Sequence, residues 1–371
     1  MKINELVQIN PKSKLNNYDF INYIDTSSVV DGTLLNIQYL IKNYPSRAQR
    51  TLKKFDILIS SVRPNLKHNY FVKVDKENLV ASTGFIQIRC NTNQTIPQYL
   101  YYFLTSGKRV CQYTMIADSS QTTFPSFNKE VIENLEIDLP NLQVQQHIVD
   151  TIGTIDNLIE KNDDIMTKIR DLLDKKYKSF THSFERVKIA ELDYFNICKS
   201  GINQFDNQKI YLDTASVDQT NIIDESYTIT YNERPSRANM QPLANSVWFA
   251  KLKDSPKYIL VKEKSKSLLN NFVFSTGFLG LQSENNLINY LYCLILSNEF
   301  NEQKNLLSNG ATMQGINNNT FAEIKVPNIT REQAKNFGES IDNYVDLMID
   351  LKNKNHKLKQ IKSQLLQKYF G

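Results

Sequence analysis

The pattern of apolar and polar positions divides the chain into two kinds of segment, and each kind occurs twice. After Pro140 no proline occurs up to Phe180, and apolar residues fall at Ile148, Ile152, Ile155, Ile159, Ile165, Ile169, Leu172 and Tyr177. Steps of three and four residues lay one apolar seam along an α-helix. After Pro327 a second such segment carries Phe337, Ile341, Tyr344, Met348, Leu351, Leu358, Leu365 and Tyr369. The spacing predicts long helices within 140–186 and 327–371. A helix of about 40 residues is about 60 Å long and cannot bury such a seam alone. Antiparallel pairing of the two is the simplest solution. Asn162 and Asn355 fall on the seams. There a polar residue either marks a wet spot or kink, or selects register by penalising misaligned pairing.

The segments before these helices, 1–139 and 187–326, are patterned differently. Short runs such as DILISSV, ASTGFIQIR and NSVWFAKL are rich in Val, Ile, Phe and Ser and broken by Asn, Gly and Pro, as strands are. YLYYFLTS and YLYCLILS read as buried helices following Pro97 and Asn289. The order of motifs repeats. YIDTSSV at 23–29 returns as YLDTASV at 211–217, and PSRA at 45–48 returns at 235–238. DILISSVRP at 56–64 aligns loosely with SVWFAKLKD at 246–254, and STGF at 82–85 returns at 275–278. IDLPNLQVQQ at 137–146 aligns with IKVPNITREQ at 324–333. Matches in one fixed order mean a duplicated unit of roughly 185 residues, with loops of differing length. The expected fold class is α+β. Two mixed α/β domains are separated by two long helices that form an antiparallel coiled coil, with a pseudo-twofold internal repeat. STGF is read as a strand-and-turn element of the scaffold, its Gly84 and Gly277 needed for a special backbone conformation or a close approach.

Composition narrows the possible functions. Of the 371 residues 41% are hydrophobic, enough for more than one sizeable core. No apolar run approaches the ~18 residues of a membrane span, and MKINELVQIN lacks an apolar signal core, so a cytoplasmic protein is expected. Cys90, Cys111, Cys198 and Cys293 are isolated and read as reduced core thiols. A net charge of +5 permits a nucleic-acid partner without requiring one. The chain holds no phosphate-loop, dinucleotide or H-E-x-x-H motif, and no Asn-Pro-Pro-aromatic tetrapeptide. His68, His147, His182 and His356 are scattered, and Glu323-Ile324-Lys325 stands alone as an echo of a nuclease E-x-K. The expectation is a binder with no metal and no cofactor of its own.

One stretch indicates what is bound. Between Tyr44 and Tyr70 lie Arg47, Arg50, Lys53, Lys54, Arg63 and Lys67, opposed only by Asp56. Arginine can fork onto guanine, and lysine can neutralise phosphate. Candidate DNA contacts in the first domain are Tyr44, Arg47, Arg50, Ser60, Arg63, Asn65, Lys67 and His68. In the second domain they are Arg234, Arg237, Asn239 and Lys251. A solvated charged face, with Arg47 tied to an acid, is the plainer reading. Lys352, Lys354, Lys357, Lys359, Lys362 and Lys368 of the last helix form either a solvated face or a surface for DNA or an acidic partner.

Taken together, PSRA and STGF in both copies, DILISSVRPNLK in the first, and the helix starts LPNLQVQQHIVDTIGTIDNLI and VPNITREQAKNFGESIDNYV resemble the specificity subunit of type I restriction–modification systems. The resemblance covers essentially the whole chain. It departs in the second copy, which lacks a counterpart of Arg63 and replaces LPNLQVQQ. It implies that 1–139 and 187–326 are target recognition domains, each reading half of a bipartite double-stranded DNA site. The helices would set the gap and dock two modification (methyltransferase) subunits, with restriction/translocase subunits joining the complex. S-adenosylmethionine and ATP would sit on those partners, and this chain would be non-catalytic. A specificity protein of another restriction class, an orphan, an enzyme in its own right and a coiled-coil protein with no DNA role stay open as alternatives.

Overall fold

The run DILISS is apolar without alternation because its strand is covered on both faces. In the computed structural model Ile57–Ser60 is wholly buried. Leu58 faces a core with Ile24, Tyr70, Ala81 and Phe85, while Ile57 and Ile59 face another with Leu100 and Phe103. The side-chain period of two sends neighbours to opposite layers. The structure describes residues 1–12, 18–91, 93–119, 123, 125–223, 225–284, 286–310 and 314–371.

The chain forms two compact units. One contains Met1–Lys161 with Asn355–Gly371, the other Asn162–Lys354. In the first, an antiparallel sheet runs in the order Val7–Ile9, Phe85–Cys90, Ile57–Ser60 and Asn69–Phe71. A second sheet runs Gln38–Ile41, Phe20–Ile24, Leu79–Ser82 and Ala48–Thr51, with a parallel central pair. The second unit repeats both orders. Its first sheet is Asn196–Ile197, Phe278–Gln282, Ser246–Ala250 and Tyr258–Val261. Its second is Thr228–Ile229, Lys209–Leu212, Phe272–Ser275 and Ala238–Met240, again with a parallel central pair. A register irregularity falls between Ala48 and Arg50 in one and between Ala238 and Met240 in the other. The duplication expected from the motifs is thus a duplication of topology. The helices Pro97–Leu104 and Leu287–Leu296 fill the layer beneath.

The long helices are Leu142–Thr181 and Arg331–Phe370. Within the first unit Ile148, Val149 and Ile152 share a core with Phe370. There Asn355 Nδ2 donates to the Ile159 carbonyl at 3.4 Å, and Lys362 pairs with Asp156 at 2.7 Å. Within the second, Phe180 stacks on Phe337 with centroids 4.7 Å apart, and Lys176 lies over the Tyr344 ring. Numbers rise on one helix as they fall on the other, so the pairing is antiparallel in each unit. The seam differs in detail from the expected one. Ile165 is 41% exposed and Met166 is buried in its place, Leu173 replaces Leu172, Val345 replaces Tyr344, and Phe370 is more deeply buried than Tyr369. Asn162 and Asn355 are both buried, as their places on the seams require. The buried run passes through Asn162 in steps of three and four, and Ile169 and Tyr177 beyond it are buried as expected, so each slip is local to one pair of adjacent residues. The cysteines also divide. Cys198 and Cys293 are buried and Cys90 is half-buried, but Cys111 is exposed, so it is no core thiol.

Candidate nucleic-acid interface

The STGF turn joins the two sheets of each unit, and its backbone holds the loops on either side. In the first unit Thr83 N donates to the Arg47 carbonyl at 2.8 Å, and Ser61 N donates to the Gly84 carbonyl at 3.1 Å. In the second, Thr276 N donates to the Arg237 carbonyl at 2.8 Å, and Lys251 N to the Gly277 carbonyl at 2.9 Å. Ser82 Oγ and Ser275 Oγ each accept from the glycine N–H two residues on. The glycines answer to close approach rather than to a left-handed backbone. A Cβ on Gly84 would lie 3.0 Å from the Thr26 methyl, and one on Gly277 would lie 3.1 Å from the Thr214 methyl. Each turn therefore clamps a PSRA loop to the loop that leaves the central strand. The second of these loops is also tied to the segment after the head's helices. Arg63 N donates to the Pro125 carbonyl at 2.8 Å, and Lys253 N to the Gln314 carbonyl at 2.9 Å.

The candidate residues distribute unevenly over this frame. Arg47, Arg63, Asn65 and Lys67 are exposed on the first unit, and Arg237 is exposed on the second. Arg63 and Lys67 both have left-handed backbones, φ 48° and 51°, and bracket the short 3-10 turn Pro64–Leu66. The Arg63 guanidinium also reaches the Thr123 carbonyl at 3.4 Å. Arg50 is half-buried, and burial pushes its guanidinium below its ordinary range. Tyr44 donates to the Tyr18 carbonyl, and His68 Nδ1 contacts the Val29 carbonyl, so both brace the head from within. Ser60 is 2% exposed and donates to the Val62 carbonyl at 2.9 Å. Arg234 lies over the Tyr231 ring at 4.2 Å and donates to that residue's carbonyl. Asn239 is half-buried, and its carbonyl accepts from Gly201 N. Lys251 is half-buried with Nζ 2.9 Å from the Thr276 carbonyl, and burial together with the Arg237 charge pushes its ammonium down.

Two buried charges were invisible in the sequence. Asp56, the one acid of the basic stretch, is 1% exposed and faces inward. Its oxygens accept from Arg89 Nε and Nη2, both at 2.7 Å, and from Gln87 Nε2 at 2.8 Å. The outer charge of the loop is therefore undiluted. In the second unit Lys304 is 1% exposed behind residues 250–255, donating to the carbonyls of Ala250, Leu252 and Ser255 at 3.1–3.3 Å. The one available sequence signal was its spacing of four from buried Phe300 on the helix Asn298–Leu306.

Burial pushes the Lys304 ammonium down to about 8, against a smaller upward pull from Asp254. Below that pH the lysine is charged in both folded and unfolded states, and the burial penalty is fully present. As pH rises from about 8 toward 10.5, the folded state loses the proton first and the penalty is relieved. Buried Cys198 and Cys293, whose thiols are pushed up, titrate in the opposite sense. Comparison with Lys304→Met isolates the lysine. The stability of the unmodified protein relative to this variant should rise across pH 8 to about 10. Equilibrium unfolding at several pH values measures it, and a flat difference would refute the assignment.

Comparisons with known proteins follow the same lines. The family model of the type I restriction modification DNA specificity domain matches residues 1–171. The specificity subunit of the type I restriction enzyme HindI of Haemophilus influenzae is 31% identical over 181 residues, 48% of this chain and 39% of its own length. The specificity subunit of the type I restriction enzyme MjaVIII of Methanocaldococcus jannaschii is 23% identical over 296 residues, 69% of this chain and 65% of its own. The chain thus spans less than two thirds of the length of these curated relatives. The crystal structure of the S subunit of a type I restriction–modification system from M. genitalium covers 100% of this chain and 95% of its own, with a TM-score of 0.54 and 16% identity. At that identity the likeness is one of fold.

Proposed function

We infer from the specificity-domain model that matches residues 1–171 that the chain is a type I restriction–modification specificity protein, and from that premise we propose that each unit reads one half of a bipartite DNA site. The observation that supports this most directly is the repeated frame. In both units one turn holds two loops with exposed or half-buried cations, while the polar residues on those loops differ. A shared frame with unlike decoration suits two domains that read two different targets. The long helices would set the gap and dock two methyltransferase subunits, which would carry S-adenosylmethionine and do the chemistry on adenine. Restriction/translocase subunits, with ATP, would join that complex.

Discrimination in such a system needs both halves, because each mismatched pair costs only ~1–3 kcal/mol. A stiff spacer raises the effective concentration of the second half-site at one gap only. Base readers in this proposal are the exposed Arg47, Arg63, Asn65 and Lys67 of the first unit. Tyr44, Ser60 and His68 act as braces, their polar atoms being engaged within the head. The test is co-expression with a type I methyltransferase subunit, followed by methylation mapping of genomic DNA. N6-methyladenine at one motif with two unlike halves and a fixed gap is expected. Methylation at no motif, despite a formed complex, would refute the reading. Within it, Arg63→Ala should weaken binding to the mapped site by roughly 1–3 kcal/mol. Fluorescence anisotropy on that duplex measures the change, and unaltered affinity would remove Arg63 from the contact set.

A further inference from the structure

Three cations of the second unit converge on one glycine. Arg237 accepts the Thr276 N–H on its carbonyl, and a Cβ on Gly277 would lie 3.5 Å from its Nη2. Lys251 donates its N–H to the Gly277 carbonyl and its Nζ to the Thr276 carbonyl, both at 2.9 Å. Lys257 Nζ donates to the carbonyl of Thr214, whose methyl is the group nearest that same Cβ. None of the three makes an ion pair among the described residues. The neighbouring carboxylate, Asp213, has its Oδ1 committed to the N–H and hydroxyl of Ser216, each at 2.8 Å. Like charges held together with no acid between them leave an uncompensated field, which an anion relieves. Burial, with the Arg237 charge added to it, pushes the Lys251 ammonium down.

We propose that Arg237, Lys251 and Lys257 clamp one phosphate of the DNA backbone, so that the second unit is positioned by this cluster and reads bases with other residues. The proposal rests on the DNA-reading function above. Tethering favours phosphate over a base edge. Two of the three cations are ammoniums fixed to main-chain carbonyls, short point charges against the body of the domain. A lysine that reads guanine must instead extend into the major groove. Fixed cations position a duplex without carrying sequence information. The first unit has a weaker version. Arg47 stands where Arg237 does, but His68 takes the place of Lys257 and Ser61 that of Lys251, its hydroxyl on the Gly84 carbonyl at 3.2 Å. The second unit is therefore the stronger sequence-independent anchor.

The test is salt-dependent binding of the full chain, in complex with its methyltransferase partner, to two unrelated duplexes. Each phosphate contact contributes about −0.9 to the slope of log K against log salt. Arg237→Gln and Lys251→Met should each weaken binding several-fold on both duplexes alike and together reduce the slope by about one. Ser61→Lys should steepen it by a similar amount. A loss confined to one duplex, or an unchanged slope in the double variant and in Ser61→Lys, would overturn the clamp while leaving DNA reading intact. Absence of salt-dependent binding by the unmodified complex would overturn both.

Discussion

Asp56→Ala is expected to destabilise the first unit by about 3–5 kcal/mol, the range for breaking a buried ion pair by removing one partner. The carboxylate accepts from two guanidinium nitrogens of Arg89, from Gln87 Nε2 and from the Lys53 N–H at 2.8 Å. Its removal leaves buried donors unpaired, and Arg89, with a side chain 22% exposed, cannot turn fully into water. The value should fall toward the lower end for that reason. Trp248, the only tryptophan, lies in the second unit, so its fluorescence transition should hold still. Hydrogen exchange of the strands Ile57–Ser60 and Phe85–Cys90 should accelerate by two or more orders of magnitude. Protection equal to that of the unmodified protein would show that the pair is not what secures this sheet. A loop that depends on Asp56 loses its geometry with it, so methylation that requires the first half-site should also fall.

The second large effect is expected at Gly338, on the helix Arg331–Phe370. A Cβ there would collide with the Asn286 carbonyl oxygen and lie 2.9 Å from its carbon. These are backbone atoms at the start of Leu287–Leu296, and they cannot swing aside as a side chain would. The same contact is reinforced by Asn289 Nδ2, which donates to the Gly338 carbonyl at 3.1 Å and to Asp342 at 2.9 Å. Gly338→Ala should therefore cost more than the ~1–3 kcal/mol of ordinary overpacking and should move the Trp248 transition. Gly153 in the first copy offers the control. Its Cβ would meet only side-chain ends, Gln98 Nε2 at 3.3 Å and the Tyr102 hydroxyl at 3.6 Å. Those can yield, and alanine gains about 1 kcal/mol of helix propensity over glycine, so Gly153→Ala should be close to neutral. Equal costs at the two glycines would contradict the difference in packing.

Much of this architecture was legible from periodicity. A seam of three- and four-residue steps and two proline-bounded ends define a long helix through purely local chemistry, and a motif order that recurs defines a duplicated frame. The role of STGF as a turn was legible for the same reason, since a short strand, a glycine and another strand constrain one another within a few residues. The slips at Ile165 and Tyr344 mark where local counting ends. Where two apolar residues stand side by side, only packing decides which of them turns inward.

The sequence by itself determined that there are two copies of one topology, two long helices, and a basic stretch held in loops. Tertiary structure alone decided which charges in that stretch face outward. Asp56 turns inward because strand pairing sets it beside Arg89, 33 residues away. Lys304 disappears behind a loop 49 to 54 residues before it. Arg237, Lys251 and Lys257 meet because two loops and a turn, from strands remote in sequence, share backbone hydrogen bonds around one glycine. Charge is a property of residues, but whether it is buried, paired or left to meet a ligand depends on distances that strand order sets, and no local pattern encodes those distances.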